Sequence, residues 1–230
     1  MKKYLTGLAV LFSAIVSMHS ISVSAHEAGD IILRVGATKV EPDESSSLIS
    51  TAATGALGMT GVAVDDSTQL GLNVVYMFSD NWALEVLAAT PFEHDLTAEG
   101  LDQYGFNTTD LGSSKQLPPT VSALYFFGSA QSTIRPYVGL GVNYTTFFDK
   151  SLSNAARTEL AATGLDIDDS FGLSTRAGLD IQLSNNWMLN ASVWNIDIET
   201  DASFDSALGK VKVGVDVDPW VYMLSIAYKF

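Results

Sequence analysis

The segment Pro219–Phe230 constrains this chain more than any other stretch. Trp220, Tyr222, Leu224, Ile226, Tyr228 and Phe230 share one face, opposite Val221, Met223, Ser225, Ala227 and Lys229. Successive side chains of a strand point to opposite sides, so a period of two marks a strand. A strand of a water-soluble barrel would turn a polar face outward. Here the more apolar face carries aromatic rings at both ends, as a strand crossing a bilayer does, with rings at the two interfaces.

The same period recurs upstream. In 69–78, Leu70, Leu72, Val74, Tyr76 and Phe78 oppose Gln69, Gly71, Asn73, Val75 and Met77. Similar alternation runs through 82–90, 121–127, 171–181 and 187–194, with weaker versions at 30–40 and 133–147. With the C-terminal segment these make eight strands, the even number a single-chain bacterial barrel needs. Short turns at 79–81, 128–132 and 184–186 alternate with long polar links at about 41–66, 93–118, 148–169 and 201–217. Beyond residue 25 no apolar run approaches the roughly 20 residues of a spanning helix. The pattern predicts an all-β fold, an eight-stranded antiparallel transmembrane β-barrel with short periplasmic turns and long extracellular loops. Closure leaves no backbone edge unpaired in lipid. Eight strands enclose a narrow interior that side chains fill or line, which argues against a wide aqueous channel.

The N-terminus predicts export. Lys2-Lys3, the apolar stretch from Tyr4 to Val16 and the small residues Val23-Ser24-Ala25 read as a signal peptide, residues 1–25, cut after Ala25. That leaves a barrel domain over 26–230 in the cell outer membrane, among its lipid and lipopolysaccharide. A formal charge of −14, from 12 Lys+Arg against 26 Asp+Glu, argues against a nucleic-acid partner. Cysteine is absent, which excludes disulfides and thiolate metal sites. No cofactor is indicated. The acidic run Asp166-Ile167-Asp168-Asp169 lacks the glycine and terminal glutamate of a calcium loop, so it reads as solvated loop charge, like Asp43-Glu44 and Asp65-Asp66. Beyond residue 25 the histidines are His26 and His94, and no G-x-S-x-G motif occurs. His94 reads as an exposed loop residue, and no enzyme is expected.

Parity predicts the interior. Val75, Met77, Leu87, Leu124, Phe126, Met188, Trp194, Val221 and Met223 face inward. They either line a pocket for an apolar ligand or simply fill a small barrel. Trp194 and Leu87, toward the extracellular halves of their strands, suit a constriction. Arg34, Glu85, Arg176, Asp180 and Lys229 also face inward and predict a salt-bridged polar plug on the periplasmic side, beneath an apolar upper chamber. Pro91 and Pro136 cannot donate to a ladder, which raises a lateral exit through the wall, although a place at a strand end explains both.

Several ordered blocks resemble the outer membrane protein W family. They are His26-Glu27-Ala28-Gly29-Asp30, Ala88-Ala89-Thr90-Pro91-Phe92, Leu117-Pro118-Pro119-Thr120, Arg135 to Gly141 with Asn143 to Phe148, Ser192-Val193-Trp194 and Asp218-Pro219-Trp220-Val221. The resemblance spans the chain beyond residue 25 and is weakest in the long links. It implies an outer-membrane barrel that passes small hydrophobic molecules passively through a narrow, partly apolar lumen. The alternative it implies is a surface stress protein serving as a receptor for a bacteriocin or phage through its extracellular loops.

Overall fold

A computed structural model describes residues 26–107 and 109–230. The signal peptide expected at 1–25 lies outside the described residues. In chain order the first strands are β1 Ile31–Glu41, β2 Ser45–Ser46, β3 Ser50–Thr51, β4 Gly55–Ala56, β5 Gly61–Val64, β6 Ser67–Met77, β7 Trp82–Ala89, β8 Phe92–Glu99 and β9 Asp110–Leu117. They are followed by β10 Thr120–Phe126, β11 Ile134–Leu152, a short helix α1 Asn154–Glu159, β12 Thr163–Ile167, β13 Ser170–Gln182, β14 Trp187–Ile196, β15 Glu199–Ser206, β16 Gly209–Asp216 and β17 Trp220–Lys229.

Eight of these close on themselves in the order β1, β6, β7, β10, β11, β13, β14, β17, every neighbouring pair antiparallel. The seam between β1 and β17 runs from Ile32 opposite Lys229 to Glu41 opposite Trp220. Gly36 sits in that seam, and a Cβ there would lie 2.0 Å from the Leu224 carbonyl oxygen. Only glycine lets these two backbones pass.

The outward face is apolar, as the alternation predicts. Leu72, Val74, Leu84, Val138, Leu140, Leu173, Leu224 and Ile226 are all exposed. Toward the short-turn rim the face ends in rings that meet edge to face, with Trp82 and Tyr125 at 5.1 Å and Trp187 and Tyr228 at 4.9 Å between centroids. Asparagine side chains hold two of the short turns. The Asn81 amide donates to the carbonyls of Phe126 at 2.7 Å and Gly128 at 2.9 Å, and the Asn186 amide donates to Lys229 O at 2.7 Å.

The long links depart from the expectation of plain polar loops. The hairpin β8–β9, flanked by β5 and by the outer part of β11, carries the wall beyond the barrel. A second sheet, in the order β12, β15, β16, β3 and β4 with β2 also paired to β16, folds from the other links. The physical reason is visible in β16 and the residue after it. Val211, Val213, Val215 and Val217 are buried while Lys210, Lys212 and Asp216 face solvent. That alternation is a half-buried strand in water. The charges between the valines make the link polar on average without preventing an apolar inner face.

Candidate functional site

The interior divides into three zones along the barrel. At the short-turn end, Met77, Leu124, Phe126 and Met188 pack with Ile32, Val75, Ala83 and Ala227, all of them fully buried. Met77 and Phe126 end their strands and Met188 is second in its own, so this cluster forms a floor near the periplasmic rim. The segment before β1 folds under it. The His26 ring lies 4.8 Å from Phe126, and Arg135 donates to the His26 carbonyl at 3.1 Å and to the Asp80 carbonyl at 2.6 Å.

A charged layer comes next. Arg34 donates through Nη1 to Glu85 Oε2 at 3.0 Å and through Nη2 to Asp180 Oδ2 at 2.5 Å. Arg176 pairs with Glu85 and donates to the Tyr137 hydroxyl at 2.7 Å. The Asn190 amide donates to Asp180 Oδ1 at 2.7 Å, and His26 Nε2 lies 3.0 Å from Asp180 Oδ2. Charges this deeply buried persist because they are paired and further hydrogen-bonded. Four of the five residues expected in a plug, Arg34, Glu85, Arg176 and Asp180, are thus brought together. Lys229 is not. It is the last residue of β17, and its ammonium lies 3.4 Å from Asp30 at the rim. Parity assigned its direction, but its height puts it where the barrel opens to water.

Above the charges, the Arg176 guanidinium lies 3.9 Å from the centre of the Trp194 ring. This is close enough for a cation–π contact. Leu87, Trp194, Val221 and Met223 join an upper apolar cluster that continues into the folded links. Within it are two adjoining voids of about 60 and 150 Å³, which share Val62, Leu111, Phe204 and Val213 in their walls. An apolar cavity of the larger size is enough for a benzene-sized molecule.

The expected lining therefore needs correction. Met77, Leu124, Phe126 and Met188 form solid packing on the far side of the charges, and Leu87, Trp194 and Met223 border neither void. The walls are instead Val62, Leu96, Leu111, Phe147, Phe204, Val213 and Val215, mostly from the links. The run Val211 to Val217 carried that signal in its alternation. A second correction concerns His94, which is buried in the chamber wall and not exposed. The loop charge is also more engaged than expected, since Lys150 donates to Asp166 at 3.0 Å and the Tyr144 hydroxyl to Asp169 at 2.6 Å. Lys150 holds the Asp166 carboxyl below its ordinary range. Among the described residues, no group of three His, Asp or Glu is placed to hold a metal ion.

Pro136 is third in β11, opposite Leu179, and its carbonyl accepts the Phe127 amide at 2.9 Å. Pro91 lies between β7 and β8. There the wall changes register: β7 and β10 pair as far as Leu87 opposite Thr120, and β8 and β9 resume at Phe92 opposite Gln116. Pro118 and Pro119 stand on the other side of the same break.

Comparison with known proteins agrees with this architecture. The model of the OmpW family matches residues 27–230. Outer membrane protein W of Vibrio cholerae is 43% identical over 230 residues, covering all of both chains. The crystal structure of the outer membrane protein OprG from Pseudomonas aeruginosa superposes with a TM-score of 0.84 at 43% identity, over 90% of this chain and 99% of that one. A more distant relative, the dibenzothiophene metabolism operon protein PahQ of Pseudomonas aeruginosa, is 25% identical over 76% of this chain and 86% of its own. The chain belongs to the OmpW family and is an outer-membrane β-barrel of the type that OprG represents.

Proposed function

We propose that the protein lets small hydrophobic molecules cross the outer part of the membrane passively, entering the apolar chamber from outside and leaving through the wall into lipid. The observation that carries this reading is the chamber's place in the apolar cluster on the outer side of the paired charged layer, with Trp194 between the two. An apolar solute gains by burial in the chamber. It would have to displace hydrogen-bonded ion pairs to continue along the axis, which is costly. The wall break at Pro91 and Pro118-Pro119 offers the other way out, because proline has no N–H to donate to the ladder. The name of the relative PahQ links that protein to the metabolism of an apolar aromatic compound, which is the class of solute proposed here.

The test uses proteoliposomes of the full barrel, following uptake of a small apolar fluorophore together with ion conductance. The expected result is dye entry faster than in empty liposomes, little ion current, and loss of the acceleration in Val213→Asp, which places a charge in the shared wall of both voids. Equal dye entry with and without the protein overturns the proposal.

A further inference from the structure

The chamber nearest the barrel is apolar almost throughout, and its polar wall residues are His94, Ser114, Gln116 and Thr200. Two of these already spend their hydroxyls on backbone. Thr200 donates to Asp168 O at 2.5 Å, and Ser114 to the carbonyls of Lys115 at 3.4 Å and Phe148 at 3.5 Å. The other two form a chain whose direction chemistry decides. His94 Nδ1 lies 2.6 Å from the Asp65 carbonyl oxygen. A carbonyl only accepts, so Nδ1 carries the hydrogen, and Nε2 of the neutral ring keeps its lone pair. That lone pair lies 2.9 Å from the Gln116 amide nitrogen, which must therefore be the donor. The orientation of the carboxamide follows, and its oxygen is the end left over. No described residue donates to that oxygen, although Gln116 is only 3% exposed. An acceptor on a largely buried side chain gains by taking a donor. In the wall of an apolar chamber it is the kind of isolated polar group that orients a ligand.

We infer that Gln116, held by His94, is a polar subsite of the chamber that takes the hydrogen-bond-donating head of an otherwise apolar molecule, with phenols and alcohols as the ligand class. The inference rests on the reading that apolar molecules occupy the chamber, and it adds which of them are preferred. The head group donates to Gln116 Oε1 in the smaller void while the hydrocarbon body extends past the shared Val62 and Val213 into the larger one. His94 acts as a positioning residue, because rotating the amide would leave its Nε2 facing another acceptor.

The experiment compares three probes of nearly one shape on the full barrel in nanodiscs: p-cresol, p-xylene and 4-methylanisole. The first carries a donor, the second no polar group, and the third an oxygen that only accepts. Methyl NMR shifts of Val213 and Leu111 report occupancy, and the Gln116 side-chain amide reports the contact. The expected result is about tenfold tighter binding of p-cresol than of either other probe, the size of one hydrogen bond. That preference should vanish in Gln116→Leu, with p-xylene binding retained, and persist in Ser114→Ala. Equal binding of the three probes to the wild-type protein, or a preference that survives Gln116→Leu, overturns the subsite and leaves the chamber reading standing. If none of the probes moves the chamber methyls, the chamber reading falls and the subsite with it. The 4-methylanisole arm decides the matter in the wild-type protein even if Gln116→Leu fails to fold.

Discussion

Arg34 in β1 and Asp180 in β13 stand 146 residues apart in the chain, and their side chains meet at 2.5 Å inside the barrel with no exposure to solvent. Arg34 also holds Glu85, so one guanidinium neutralises carboxylates from two other strands. Removing one partner of such a group leaves a charge uncompensated where it cannot be hydrated. Arg34→Met should therefore cost about 3–5 kcal/mol of unfolding stability. Arg34→Met combined with Asp180→Asn should cost less than the sum of the two single changes. Urea unfolding in lipid bilayers reads both quantities, and strict additivity would show that the pair is not coupled.

Trp194 separates the charged layer from the apolar chamber. It is fully buried and lies against the Arg176 guanidinium. Trp194→Ala should lower stability by about 3–5 kcal/mol, through the cavity it leaves. The variant should also pass more ions in planar bilayers, since the charges then face an open space. A conductance unchanged from wild type would place the ion barrier elsewhere.

The outward face tests the membrane placement. Leu224, at the middle of β17, is exposed on the barrel exterior. Leu224→Arg should cost about 2–4 kcal/mol in a bilayer, against about 0–1 kcal/mol for the same change near an interface, as at Phe230. Equal costs at the two depths would contradict a hydrocarbon layer centred on Leu224.

His94 gives the chamber a pH dependence. Burial holds its imidazolium form down, so its pKa lies below the ordinary 6.5, opposed by the Asp65 carbonyl and by the carboxylates of Asp65, Asp66 and Asp95. The unfolded chain therefore takes up this proton first as pH falls. The contribution of neutral His94 to stability is complete above 6.5 and declines as pH drops from there toward the folded-state pKa. Protonation also removes the acceptor for the Gln116 amide. Unfolding midpoints compared at about pH 8 and about pH 5.5 should fall in acid, with a smaller fall in His94→Gln. An identical fall in the variant would assign the effect to other groups.

Parity was sufficient to place Arg34, Glu85, Arg176 and Asp180 inside, because a strand's side chains alternate whatever the strand pairs with. It could not tell that Lys229 sits at the rim, since height along a tilted strand depends on how the barrel closes. It also could not separate Met77 and Phe126, which pack as a floor, from Trp194, which covers the charges. The chamber residues were the least legible. Val62, Leu111, Phe204 and Val213 lie in links whose charge suggested solvent, and their partners come from links distant in the chain. His94 looked exposed because nothing local buries it. Gln116 and the Asp65 carbonyl do so only after two links fold together.

Strand number, membrane face, turn positions and the sign of each wall residue's direction are properties of the sequence alone, because each follows from a local period of two and from local turn chemistry. Which charges neutralise one another, where the packing is solid and where it leaves a void, and which link residues reach the chamber are decided only by closure of the barrel and pairing of the links. Those contacts join residues from different strands, and their geometry is set by register and tilt, which no single strand contains.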